Sequence, residues 1–224
     1  MNEALQTVLD ALPYMLQGAL VTCALVLASL ALGLALGVPL AVGQVYGPRW
    51  LNRLIRLYVW FFRGVPIVVL MILFYFGLFT LLEINLSAFS AAAMVLGLTS
   101  AAYQSQIFRG SIQSLPGGQL KAARALGMSD TIAIWNIIIP QALRLSIPGW
   151  SNEFSIILKD SAVAFVLGTT ELMARTHFVS SRTFQHLPLF LAAGAIYYFL
   201  TYAGVRGLRS LERRVRIKGY SHGS

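Results

Sequence analysis

The sequence predicts an all-α integral membrane protein with five transmembrane helices, its N-terminus outside the cell and its C-terminus in the cytoplasm. Three observations lead there. Of the 224 residues, 57% are hydrophobic and 11% charged, whereas a soluble domain carries about 25% charged residues. Mean hydropathy is +0.71, more apolar surface than a core of this size can bury, so a bilayer must act as part of the solvent. The apolar residues also gather in five runs, each long enough to span about 30 Å of hydrocarbon at about 1.5 Å per residue.

The first sixteen residues contain Glu3 and Asp10 and no Lys or Arg. They lack the basic start of a cleavable leader, and residues 1–16 read as an outer N-terminal segment. Residues 17–211 form the membrane domain and 212–224 a basic cytoplasmic tail. The runs lie near Gly18–Gln44, Leu57–Leu82, Ser87–Arg109, Pro140–Gly168 and Leu187–Gly207. None alternates with period two, which excludes outer-membrane strands. Gly33, Gly37 and Gly43, interleaved with alanine, suit close helix packing. Cys23 is the single cysteine and reads as a small core or lipid-facing residue. Trp60, Phe61 and Phe62 read as an interfacial belt or core.

Charge sets the orientation. One side holds Arg49, Arg53 and Arg56, then Arg109, Lys121, Arg124 and Arg144, then Arg206, Arg209, Arg213, Arg214, Arg216 and Lys218; the other holds Arg175 and Arg182. Thirteen basic residues against two is a strong positive-inside bias. The net charge of +9 and pI near 10.1 therefore reflect topology rather than a nucleic-acid face. No Gly-x-x-x-x-Gly-Lys-Ser/Thr loop is present, nor HExxH, CxxC or Gly-x-Ser-x-Gly, so no phosphate cradle, metal site or nucleophile elbow is expected.

The loop of about residues 110–139 is too long to be structureless in a compact domain. Leu120–Leu126 is rich in helix formers. Gly127 then reads as a C-cap, and Ser129 as the N-cap of a second helix over Asp130–Ile138 with an acidic first turn. The Ala122-Ala123 pair offers a smooth face for a partner; an interfacial helix that merely anchors the loop is the alternative.

Four charges fall inside apolar runs: Arg63, Glu153, Lys159 and Asp160. Such groups are costly in hydrocarbon and mark pathways or pairs. Glu153 and Asp160 are seven residues apart, within roughly 20° on one helix face, with Asn152 and Lys159 on the adjacent stripe. Pro148-Gly149 precedes them and could break the helix and free carbonyls. The acids either meet a substrate cation through charge-assisted hydrogen bonds or pair internally with Lys159 and Arg63.

Lys121-Ala122-Ala123, three residues, Gly127, nine residues, Ile137, one residue and Ile139-Pro140 resemble the cytoplasmic motif of ATP-binding-cassette importer permeases. Lys121 stands where the family has Glu and Ile139 where it has Leu. Phe62-Arg63-Gly64-Val65-Pro66, Gln106-Ile107-Phe108-Arg109-Gly110, Pro140-Gln141-Ala142-Leu143-Arg144, Asn152-Glu153-Phe154 and Leu158-Lys159-Asp160 resemble the permease subunits of polar amino acid importers, the histidine/glutamine/arginine group, with Gln106 where a Glu is usual.

The resemblance implies a type I importer permease fold in the bacterial inner membrane and a pathway for a polar, possibly basic, amino acid. It implies a substrate site at Glu153, Asp160, Asn152, Gln106, Arg63 and Lys159. It also implies an ATPase-coupling surface at Gly118, Gln119, Lys121, Ala122, Ala123, Arg124, Gly127 and Met128. Implied partners are a second permease chain, like or unlike, two ATPase subunits that carry the ATP and Mg, and an extracytoplasmic substrate-binding protein. No cofactor or metal is expected in this chain. An ion-coupled secondary transporter and a non-transporting membrane scaffold are the rival readings; five unequal runs lack the internal inverted repeat of the former.

Overall fold

A computed structural model describes residues 2–215; Arg216 and Lys218 of the basic tail lie outside the described residues. Among those described there are helices and no strand. The first helix, α1, runs unbroken over Asn2–Tyr46 with Pro13 and Pro39 inside it. Residues 2–16 are therefore the start of a helix rather than a separate segment, because Ala, Leu, Gln, Glu and Met there are strong helix formers. At about 1.5 Å per residue it is far longer than a bilayer is thick. Two residues on, α2 (Arg49–Gly64) begins, tied back to α1 where Asn52 Nδ2 donates to the Gln44 carbonyl at 2.9 Å.

The second predicted span is not one helix. At Val65-Pro66 the chain turns by 108° between Arg49–Gly64 and Ile67–Phe79. Pro66 forces the residue before it out of the helical region, and Val65 has φ −100° and ψ 133°. Beyond the turn, α3 (Ile67–Ile72) passes into a π-wound stretch, Leu73–Phe79.

Ser87 caps α4 (Ala88–Gln113), its Oγ accepting from Ser90 N at 3.1 Å. The loop helices follow as α5 (Gly118–Ala125) and α6 (Asp130–Ala133), the latter winding through Ile134–Ile138 into α7 (Ile139–Asp160). Pro148 does not break α7, which is continuous through it. The loss of one backbone bond there is tolerated within a packed bundle. Gly149 has a packing role instead: a Cβ would come within 2.8 Å of Ile107 Cγ2 on α4. The break comes after Asp160, in a 3-10 turn over Ser161–Leu167 that ends at Gly168 with φ +92°. The region read as an outer loop contains a further helix, α8 (Leu172–Thr183), before α9 (His186–Val215).

By length and composition, two described helices can cross a membrane, Glu3–Tyr46 and His186–Val215, or three if the bent pair is one span. α4 and α7 are long but carry buried polar groups, including Ser100, Gln104 and Glu153.

Packing runs in three apolar clusters. The central one holds Leu25, Leu70, Leu96 and Ile157. A second, with Val38, Phe108, Ile112, Ile134 and Ile138, roots the α5–α6 loop in the bundle. The third joins Met15, Leu172 and Leu189 at the opposite end. α1 and α4 lie close because glycines face the other helix. A Cβ on Gly33 would overlap Gln104 Nε2, and one on Gly97 would sit 2.6 Å from Leu32 Cδ2.

Candidate substrate site and coupling surface

Glu153 is buried in the bundle at 2% exposure. Ser100 Oγ donates to its Oε1 at 2.8 Å. Ser100 in turn accepts from Gln104 Nε2 at 3.0 Å, and that same Nε2 donates to the Leu30 carbonyl at 3.2 Å. Gln104 Oε1 accepts from Trp150 Nε1 at 2.7 Å. A chain of four side chains on α4 and α7, anchored on α1, thus fixes one carboxylate oxygen. Among the described residues, the one ion pair within 4 Å is Arg124–Asp130. Glu153 and Asp160 therefore form no internal pair with Lys159 or Arg63. Asp160 and Arg63 are nevertheless the charged groups near enough to act on Glu153 electrostatically.

Asp160 closes α7 half-buried, with Lys159 exposed beside it. Arg63, at the end of α2, lies with its guanidinium 4.8 Å from the centroid of the Tyr103 ring, a favourable cation–π placement. Glu153, Asp160 and Arg63 are thus gathered near the Val65-Pro66 turn and the end of α7.

The other two candidates lie elsewhere. Asn152 points away, into a cavity of about 240 Å³ shared with Ser155, Arg209 and Glu212. Gln106 Nε2 donates to Gln44 Oε1 and Ser105 Oγ, each at 3.0 Å, toward the loop end of the bundle. Both were grouped with the site by sequence proximity to it, and the helix geometry separates them.

Ser100, Gln104 and Trp150 were missed because small hydroxyls, an amide and an indole do not stand out in an apolar run. The signal was there: Ser100 and Gln104 are four apart and share a helix face. Glu171, also missed, is fully buried and caps α8. Its oxygens accept from Ala174 N at 2.7 Å, Met173 N at 2.8 Å, Tyr197 Oη at 2.6 Å and Thr22 Oγ1 at 3.3 Å. This node ties α1, α8 and α9 together, at a helix N-terminus whose dipole favours an anion.

The α5–α6 loop is held by a closed set of local bonds. Gly127 has φ +81°, which only glycine adopts cheaply. Around it Gly127 N donates to Arg124 O at 2.9 Å and Met128 N to Ala123 O at 3.0 Å, the paired bonds of a Schellman end. Ser129 Oγ accepts from Ile132 N at 3.4 Å. Arg124 grips Asp130 with two hydrogen bonds, Nε to Oδ1 at 2.7 Å and Nη2 to Oδ2 at 2.8 Å. The guanidinium holds the Asp130 carboxyl below its ordinary pKa, as charge-assisted bonds do. Gln119 and Gln141 exchange amide bonds at 2.9 Å, pinning α5 to α7.

Ala122 and Ala123 do not form one outer face. Ala123 is buried at 2% and Ala122 exposed, because consecutive helical residues point about 100° apart. Lys121, Ala122, Arg124 and Gly127 are exposed, while Leu126 stands 82% exposed at the tip.

Residues 30–217 match the model of the family described as binding-protein-dependent transport system inner membrane component. The chain belongs to this family. Its members are the membrane permeases of such systems, and ATP hydrolysis lies in a separate subunit. Among relatives of this permease, the histidine/lysine/arginine/ornithine transport system permease protein HisM of Salmonella typhimurium is 34% identical over 90% of this chain and 89% of its own. The arginine transport system permease protein ArtQ of Bacillus subtilis is 32% identical over 96% and 99%. A crystal structure of an amino acid ABC transporter with histidines superposes with a TM-score of 0.81, at 30% identity over 92% of this chain and 96% of that one. The MetNI methionine ABC transporter, at 19% identity and a TM-score of 0.71, shares the fold.

Proposed function

We propose that this permease forms the transmembrane pathway of an ATP-driven importer for a basic amino acid, and that Glu153 and Asp160 meet the substrate's cationic groups. The observation that carries the reading is a buried carboxylate, Glu153, with one oxygen fixed by Ser100 and no cation within ion-pair distance. A buried carboxylate without a partner is costly, and a bound ammonium or guanidinium supplies the missing charge. The relatives named for histidine, lysine, arginine and ornithine transport support the same substrate class.

In this account five spans cross the inner membrane, with the α5–α6 loop in the cytoplasm. A second permease chain completes the pathway, two ATPase subunits seat the exposed edge of α5, and a binding protein delivers substrate at the opposite end. Closure of the ATPases acts through the loop, whose Schellman turn, Arg124–Asp130 clamp and Gln119–Gln141 pair make it stiff enough to transmit force. Gly118, Gln119, Lys121, Ala122, Arg124, Gly127 and Met128 form or shape that contact, and Ala123 supports it from beneath. Gln106 and Asn152 lie outside the substrate site proposed here, and Lys159 stands at its rim.

The test is co-purification with the ATPase and measurement of its hydrolysis with the loaded binding protein. A stable complex whose hydrolysis rises with a basic amino acid supports the importer. A chain that transports in proteoliposomes without any ATPase would replace it with the secondary-transporter reading.

A further inference from the structure

The second helix carries three separate faces. Leu51, Ile55, Tyr58, Val59 and Phe62 pack inward. At about 100° per residue, Trp50, Leu54 and Leu57 fall within roughly 60° of one another on an outward stripe, and all three are exposed. Arg49, Arg53 and Arg56 fall within a similar arc next to it, also exposed, with Trp60, 72% exposed, at its edge. None of the three arginines makes an ion pair in the described chain. The 108° turn at Val65-Pro66 also takes α2 off the axis of Ile67–Phe79, so α2 does not simply continue that span.

A second copy of this chain could not neutralise the arginine row. The sequence has eight acidic residues. Glu3, Asp10 and Glu83 lie toward the other end of the bundle, and Glu153, Asp160 and Glu171 lie within it. Asp130 is held by Arg124, which leaves Glu212 alone. Three cations beside a tryptophan–leucine stripe are what a helix at the headgroup–acyl boundary presents: apolar face in the chains, basic face on phosphates.

We propose that α2 binds the headgroups of acidic phospholipids through Arg49, Arg53 and Arg56 while Trp50, Leu54 and Leu57 enter the acyl region. The contact fixes the pitch of α2, and with it the position of Arg63 beside the substrate site at the far end of the helix.

The assembled transporter in nanodiscs of phosphatidylcholine with 20 mol% (roughly) of phosphatidylglycerol tests this by tryptophan quenching. Brominated phosphatidylglycerol is expected to quench the Trp50 and Trp60 emission at least about threefold more than brominated phosphatidylcholine at equal mole fraction. That emission is identified by subtracting a Trp50→Phe/Trp60→Phe variant. The preference falls to parity in Arg49→Gln/Arg53→Gln/Arg56→Gln, and in the unmodified transporter at high salt, which needs no variant to fold. Equal quenching by the two lipids from the outset overturns the proposal. So does quenching by neither, which would mean that protein, the ATPase or the second permease chain, covers this face.

Discussion

Replacing Gly33 with alanine should damage the site without touching it. The new methyl overlaps Gln104 Nε2 and sits 2.9 Å from Ser100 Oγ and 3.0 Å from Ser100 Cβ. Gln104 is fully buried and cannot swing aside without giving up its bonds to Leu30 O, Ser100 Oγ and Trp150 Nε1. Otherwise α1 must lift from α4. Overpacking costs about 1–3 kcal/mol, and each buried polar group left unpaired roughly another 1–3 kcal/mol. With two such groups, the loss is about 3–6 kcal/mol, on the order of 6 °C or more in melting temperature for a chain of this size. The assay is a double-mutant cycle on the purified transporter, read by thermal unfolding, with Gln104→Ala as the second change. Removing the amide makes room for the methyl, so the double variant should be less damaged than the two single losses added together, by about 1 kcal/mol or more. A neutral Gly33→Ala, or strictly additive losses, would refute the close approach of α1 and α4 at this point.

Glu171→Ala should lower the melting temperature through loss of four hydrogen bonds, leaving two amides and the Tyr197 hydroxyl without their acceptor, a cost of roughly 3–5 kcal/mol. Glu171→Gln, which keeps one acceptor oxygen, should lose clearly less in the same melt. The Arg124–Asp130 clamp has a defined pH window. The carboxyl is held below its ordinary value by the guanidinium, so its contribution is present above the unfolded-state pKa and disappears as pH falls through the lower folded value. Coupled hydrolysis of Asp130→Asn relative to the unmodified chain should therefore differ by the same factor at pH 5 and pH 8; a factor that changes across that range would contradict the assignment. Because the pair is exposed, its effect should appear in coupling more than in the melting temperature.

Much of the fold was legible because the relevant signals are local or compositional. Apolar runs located the bundle, and Gly127 and Ser129 marked the loop's turn and cap where the structure has them. The misreadings have physical causes. Val65-Pro66 was treated as interior to a span although a proline constrains the residue before it, because the flanking residues stay apolar across the turn. Pro148 was weighed as a breaker, but a packed helix tolerates the loss of one bond. Helix α8 was invisible to hydropathy since it carries Arg175, His177 and Arg182, and it is held by Glu171 from a residue, Thr22, on α1. The acids of the candidate site were found by charge alone. The neutral residues that fix Glu153 depend on the register of α1, α4 and α7, which no single run encodes.

The most direct test of the account is ATP-driven uptake of labelled arginine into proteoliposomes, comparing the unmodified transporter with Glu153→Gln and Asp160→Asn, each first shown to assemble with its ATPase. Loss of a charge-assisted bond worth about 1.5–3 kcal/mol predicts a half-saturating arginine concentration roughly 10- to 100-fold higher in each variant, with uncoupled ATP hydrolysis retained. Unchanged arginine uptake in both would keep the permease and remove these carboxylates from its pathway.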